Sequence, residues 1–258
     1  MLIKALAADF DGTLYFHNTE ERFYARDIFE ILFFQKRGGL FGICTGRSPD
    51  SIFDTIGDFI RPDFIISVSG ALTVDGKGNV LDSRAMDPSA AETICREFED
   101  RAAEVIHADG RVYCLNTPEY PLQVRVNSFS EIPQDRIYGI SMRLEDERAA
   151  AEAAALIEEK YGQFVSAFQN IRNVDIVAAG CSKGTGIARV RELFGIGRFG
   201  GIGDSYNDLP LIKACDVGFT FPKSPAELRE AADEIVLSVS DAIEKLEGQT
   251  DSASRDIE

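Results

Sequence analysis

The segment LIKALAADF, residues 2–10, is an apolar run without alternation, as expected of a strand buried on both faces, and it ends abruptly in the acidic turn Asp9-Phe10-Asp11-Gly12. Beyond the turn, TEERFYARDIFEILFFQKRGG carries Tyr24, Ile28, Ile31 and Gln35 along one helical stripe. Thr19 is its expected cap, acids fill its first turn, and Gly38 and Gly39 end it. LFGICT predicts a second buried strand, and SPDSIFDTIGDFI a helix capped by Ser48 with Pro49 at its first position. FIISV supplies a third strand. This alternation predicts an α/β fold built on a doubly wound parallel sheet with right-handed crossovers.

The pattern changes after Gly70. ALTVDGKGNVLD predicts a hairpin about an Asp-Gly turn, followed by a helix starting at Ser89 with Glu92 completing a capping box. Strands such as RIYGISMRL come next, and then a second helix, EDERAAAEAAALIEEKYG, with Ala150, Ala154, Ile157 and Tyr161 on one face. Residues 83–180 are therefore expected to form an inserted α+β domain. Alternation resumes with the helix SKGTGIARVRELFG, the strand FGGIGD, the helix YNDLPLIKAC, the strand DVGFTF and a capped helix starting at Ser224. Residues 1–82 and 181–248 thus form the two parts of one core, with 249–258 expected as a flexible tail.

Charge narrows the possible partners. A formal net charge of −16 on 258 residues argues against nucleic acid and anionic membrane surfaces, so any phosphate ligand needs a strong local positive site. No apolar run approaches the ~20 residues that span a bilayer, and the first ten residues lack a leader pattern, which points to the cytoplasm. Five widely spaced cysteines, Cys44, Cys95, Cys114, Cys181 and Cys215, predict buried reduced thiols rather than disulfides or a zinc site.

Ligands of parallel α/β sheets bind at the carboxyl ends of strands, where every charged motif of this chain falls. Asp9 and Asp11 follow the first strand, Thr45 to Ser48 the second, Ser69 and Gly70 the third, and Asp204 to Asp208 the strand FGGIG. Lys183 opens the helix after the insertion. So many carboxylates on one rim would raise one another's pKa, and a bound cation relieves this. An all-oxygen donor set favours magnesium beside a phosphate. Each piece has a plainer reading, as a turn, a helix cap or a surface lysine; their occurrence in order at strand ends argues for a site. An EF-hand is excluded because Leu14 stands where its loop needs glycine. No P-loop or dinucleotide fingerprint occurs, and His17 and His107, lacking ligand neighbours at helical spacing, are expected to be structural or surface residues.

DFDGTL, ICTGRS, SKGTGI and GIGDSYNDLPLI, in this order, resemble the four motifs of haloacid dehalogenase (HAD) superfamily phosphatases. The position of the insertion resembles the Cof-like branch, whose α/β cap closes over sugar phosphates and similar metabolites. The resemblance implies a magnesium-dependent phosphatase acting on small phosphomonoesters through an aspartyl-phosphate. Asp9 would be the nucleophile and Asp11 the acid and base, with Thr45 and Lys183 binding the phosphoryl group. Asp9, Asp11 (through its carbonyl), Asp204 and Asp208 would hold Mg2+, and Gly12, Gly46, Arg47, Ser69, Gly70 and Asn207 would surround the substrate. The chain would act as a monomer or weak homodimer on a small-molecule phosphate ester. Two departures stand near the site: Ser69-Gly70-Ala71 where the branch commonly has Asn-Gly-Ala, and FTFPKSPAEL after the last core strand. Arg125, Arg143 and Arg172 are weak candidates for meeting a second anionic group. The alternatives are a phosphosugar mutase of the same superfamily and a non-catalytic protein that binds a phosphorylated ligand.

Overall fold

A computed structural model describes residues 2–17, 19–115 and 122–248; the expected tail at 249–258 lies outside the described residues. Its first half follows the alternation: β1 (Lys4–Ala8), α1 (Ala25–Lys36), β2 (Leu40–Cys44), α2 (Pro49–Ile56) and β3 (Phe64–Ser67), then the hairpin β4 (Leu72–Asp75) and β5 (Val80–Ser83). The insertion contributes α3 (Pro88–Phe98), β6 (Ala103–Ala108), β7 (Arg111–Cys114), β8 (Gln123–Arg125), β9 (Ile137–Arg143), α4 (Glu147–Tyr161), β10 (Val165–Asn170) and β11 (Asn173–Ala178). The chain closes with α5 (Lys183–Phe194), β12 (Arg198–Ile202), α6 (Leu209–Ala214), β13 (Val217–Thr220), α7 (Ala226–Ala231), β14 (Glu234–Ile235) and α8 (Val239–Gly248).

The strands form two sheets, ordered β14-β13-β12-β1-β2-β3-β4-β5 and β10-β11-β9-β6-β7-β8. In the first, β1 lies between β12 and β2, parallel to both, with Ala8 level with Ile202 and Ile43. Connections run outward in both directions from β1, so the strand order reverses there and opens a crevice at its carboxyl end. Burial on both faces explains the unbroken apolar run of β1. Leu6 and Ala8 pack with Phe34 and Ile52 on one side, Ala5 and Ala7 with Phe199 and Ile187 on the other. The β4–β5 hairpin pairs antiparallel with β3 and extends the same sheet.

The second sheet is the cap, antiparallel except for the β7–β8 pair. Its strands alternate: Ile106, Ile140, Val174 and Ile176 pack in one cluster with Ile94 of α3 and Ile157 of α4. Their odd-numbered neighbours His107, Ser141 and Asp175 face the core and line a cavity between the two layers.

Three helix starts differ from the sequence expectation. Thr19 does not cap α1: its hydroxyl bonds the carbonyls of Phe16 and Glu21, and the helix begins six residues later behind Tyr24, which makes no side-chain cap. The buried face of α1 is Asp27, Ile31 and Phe34, with Tyr24 exposed. Asp87, not Ser89, caps α3 by accepting from Ala90 N at 2.8 Å; Pro88 takes the first helical position and Glu92 pairs with Arg96 instead of closing a capping box. Ser224 does not open α7, because its Oγ accepts from Phe221 N while Pro225 precedes the helix. The five cysteines are thiols rather than disulfides; Cys215 is half-buried and the others are buried.

Candidate active site

Lys183, the first residue of α5, is 2% exposed and donates from Nζ to Asp9 Oδ1 and Asp208 Oδ1, each at 2.6 Å. Ser182 fixes this placement by capping α5 in a reciprocal box with Thr185. Asp9 stands just past β1, tied by its N–H to Ile202 O at 2.8 Å. Asp208 is fully buried, and its Oδ2 accepts from the N–H groups of Asp204 and Ser205, both at 3.0 Å. Ligand oxygens of Asp9, Asp204 and Asp208 all lie within 4.8 Å of one another. Gly12 follows from this crowding: its φ is +88°, and a Cβ there would stand 2.5 Å from Asp204 Oδ2.

Charge is unbalanced in this cluster, with three carboxylates around one ammonium. Burial, reinforced by the Asp208 carboxylate, raises the Asp9 carboxyl well above its ordinary range, although Lys183 opposes the shift. The same two causes push Asp204 up to about 7. Burial alone would discharge Lys183, but Asp208 and Asp9 hold its ammonium protonated. A raised carboxyl takes up its proton more readily in the folded than in the unfolded protein, so its contribution to stability is complete below pH ~4 and is lost as pH rises through the folded pKa. In chelating buffer the melting temperature is therefore expected to fall by a few degrees between pH 5 and 8 on account of Asp204. Thermal unfolding monitored by circular dichroism checks this, and an added divalent cation should raise the melting temperature more at pH 8 than at pH 5.

At the rim, Asp11 is held by Arg47 in a two-pronged pair, Nε to Oδ2 at 2.8 Å and Nη2 to Oδ1 at 2.6 Å. His17 Nε2 lies 2.6 Å from the same Oδ1. The guanidinium stacks over the Phe10 and Tyr15 rings, 5.0 and 5.5 Å from their centroids. Thr45 is buried beneath the rim, where its Oγ1 accepts from Arg47 N at 3.1 Å. After β3 the chain passes through left-handed geometry at Val68 (φ 46°), Ser69 (φ 47°) and Gly70 (φ 93°). Two consecutive non-glycine residues there are strained. Bonds from Val68 N to Arg47 O (3.1 Å) and from Ser69 N to Thr45 O (3.0 Å) hold this loop against the β2 loop.

A cavity of about 710 Å³ joins these groups to the cap. Asp9, Asp11, Thr45 and Gly46 line it, as do Arg47, Asp204 and Asn207. Lys183 and Asp208 lie beneath it, Gly12 packs against Asp204, and Gly70 abuts the Ser182 carbonyl. Ser69 faces the cap, with Oγ 3.4 Å from Asp175 Oδ2. Arg125, Arg143 and Arg172 are absent from the lining. Sequence reasoning missed His17, which meets Asp11 through a turn, and His107, Ser141 and Asp175, whose partners come from distant strands or loops.

The sequence model of haloacid dehalogenase-like hydrolases matches residues 6–244. A search of curated protein sequences returns no match. Among solved structures, BT1666 of Bacteroides thetaiotaomicron, described among phosphatases of this superfamily, is 22% identical with a TM-score of 0.76, over 95% of this chain and 94% of that one. A haloacid dehalogenase-like hydrolase from B. subtilis gives a TM-score of 0.81 at 19% identity, over 96% of this chain and 100% of its own. The subclass IIB sugar phosphatase BT4131 gives 0.78 at 19%, over 95% and 99%.

Proposed function

This chain belongs to the haloacid dehalogenase-like hydrolases, and from that premise we propose that it is a magnesium-dependent phosphatase of small phosphomonoesters, sugar phosphates or similar metabolites. The observation that carries the reading is the buried Lys183 bridging Asp9 and Asp208 beside Asp204. A protein that only bound a phosphate ester would gain nothing from buried carboxylates at the floor of its site, since they repel the ester.

Asp9 Oδ1 is engaged by Lys183, which leaves Oδ2 to attack phosphorus in line. The phosphorus–oxygen bond to the leaving alcohol breaks, and Asp11 gives that oxygen a proton. Lys183 neutralises charge on the phosphoryl oxygens, and Thr45 donates its hydroxyl proton to one of them. Asp11, now an anion paired with Arg47 and His17, then takes a proton from water, which attacks the aspartyl-phosphate and releases inorganic phosphate. Arg47 and His17 fix the Asp11 carboxylate for that second half-reaction, and protonation of the leaving group requires Asp11 to exchange one of these bonds for a proton.

The donor set fits magnesium, being all oxygen, crowded within 4.8 Å and short of positive charge. Asp9, Asp204 and the Asp11 carbonyl would hold the ion, which supplies charge neutralisation at the transferring phosphoryl group. Asp208, the third carboxylate of this group, would add its charge beside the ion while its oxygens, bonded to Lys183 and to two backbone N–H groups, also orient the lysine and the Asp204 loop. The cap roof limits the substrate to a small ester. Phosphate release from a panel of small esters tests the proposal: chelation should abolish it, magnesium should restore it, and calcium, with its larger and looser coordination, should not. Full activity in chelator would remove the metal from the mechanism.

A further inference from the structure

Helix α1 is apolar on two faces. Asp27, Ile31 and Phe34 turn inward, whereas Phe29, Leu32 and Phe33 are 62, 39 and 51% exposed on the opposite side, where Ala25 and Lys36 complete a stripe at helical spacing. The flank toward α8 is closed by ion pairs within the chain: Arg26 with Asp241 at 3.1 Å and Glu244 at 2.9 Å, Arg37 with Glu30 at 2.6 Å and Glu247 at 2.5 Å. Phe33 stands in that same row, between Glu30 and Arg37. A continuous stripe of this kind, on a chain of net charge −16, differs from the single apolar residues scattered over any surface.

At the amino end of α1, on the same α8 flank, the surface is hollow. A cleft of about 360 Å³ lies there, with Glu21, Tyr24, Ala25, Leu237 and Asp241 in its walls. Leu237 is 76% exposed, so the cleft has an apolar side that nothing in the chain covers among the described residues. Charge is divided between the two ends of the helix. Glu20 and Glu21 at the amino end, and Lys36 beside Phe33 at the carboxyl end, have no oppositely charged partner among the described residues. Knob and hole, cation and anions, thus stand at opposite ends of one flank.

We propose that two copies of the chain associate through this face as a weak two-fold dimer, each α1 antiparallel to the other, with Phe33 entering the cleft between the partner's Tyr24 and the partner's Leu237. A two-fold axis beside Phe29, at right angles to α1, turns the carboxyl end of one copy onto the amino end of the other and keeps the α8 flanks on the same side. At about 1.5 Å of rise per residue, Phe33 then stands level with the partner's Ala25, over the cleft, and Lys36 reaches the partner's Glu21 a turn beyond. Antiparallel helix dipoles attract as well. A parallel pairing would set like charges together at both ends. The segment 249–258, which follows α8, has Ile257 as its one large apolar residue, too little to cover the stripe. Phe29, Leu32, Phe33 and Leu237 offer roughly 400 Å² of apolar side chain per copy, short of the ~800 Å² of a stable complex, so the dimer is a dissociating one.

Sedimentation velocity of the full chain over a range of concentrations tests this, in about 0.15 M salt, where a Debye length of about 8 Å screens the net charge of one copy from the other. A monomer–dimer equilibrium with a Kd of about 10–100 μM is expected. Phe33→Gln and Leu237→Gln should each weaken it about tenfold or more, while the melting curve of the dilute protein stays within a few degrees, because both side chains are exposed. The charged ends identify the partner as a second copy. Glu21→Lys and Lys36→Glu should each weaken association about threefold, and the double variant should restore it, since the two positions lie at opposite ends of one helix and meet only across the two-fold axis. A chain that is monomeric at about 200 μM would overturn the proposal. So would a dimer indifferent to Phe33→Gln, or a double variant no tighter than the single ones.

Discussion

Asp9→Asn is expected to lower phosphatase turnover by about 10⁴-fold or more while leaving the protein folded. An amide oxygen is too weak a nucleophile to attack phosphorus, so no covalent phosphoenzyme should form. Stability should survive because Lys183 keeps its 2.6 Å bond to Asp208 after the change. Two effects on folding oppose each other: one buried ion pair is lost, and the cost of burying a charged Asp9, together with its repulsion by Asp208 and Asp204, is relieved. The melting temperature should therefore shift by only a few degrees in chelating buffer. Kinetics on an aryl phosphate, with a melting curve of the same preparation, make the measurement. Residual turnover within a hundredfold of the unsubstituted enzyme, in a folded protein, would show that another group attacks phosphorus.

Why Asp9 was legible in the sequence follows from the physics of its strand. A parallel strand covered on both faces must be apolar throughout, so a carboxylate at its end is conspicuous, and the same holds for the loops after β2, β3 and β12. Lys183 was legible by its motif, although its burial and its two carboxylate partners were not. The helix starts failed for a local reason in one case and a tertiary one in another. Pro88 at the first turn of α3 marks Asp87 as its cap, a signal that Ser89 and Glu92 obscured. In α1 the buried face includes Asp27, whose carboxylate accepts from Ser240 N at 2.8 Å, and no periodicity of apolar residues can anticipate that bond.

The histidines mark the limit more sharply. Neither has a chemical partner at helical spacing, because His17 meets Asp11 through a turn and His107 meets Ser141 across paired strands. Antiparallel pairing places side chains beside one another at separations the sequence does not announce. The cap side of the cavity is thus the part least readable from sequence, while the clustered carboxylates and Lys183 sit on short motifs at strand ends.

The partition of roles between the two opening carboxylates gives the second large effect, which Asp11→Asn should expose. Without a proton donor, hydrolysis of an alkyl phosphate should fall by about 10²–10⁴-fold, because an alkoxide is a poor leaving group. An aryl or acyl phosphate needs no such proton, so attack by Asp9 should persist and the aspartyl-phosphate should accumulate when water is not activated. Rapid mixing with an activated ester should show a burst approaching one leaving group per active site, followed by slow turnover. Mass spectrometry under acidic conditions should place the phosphate on the peptide containing Asp9. KM for the activated ester should fall along with kcat, because breakdown of the accumulated intermediate limits turnover, a signature that simple damage to the site would not give. Phosphate recovered on another residue, or steady turnover by Asp11→Asn at the unsubstituted rate, would end this assignment.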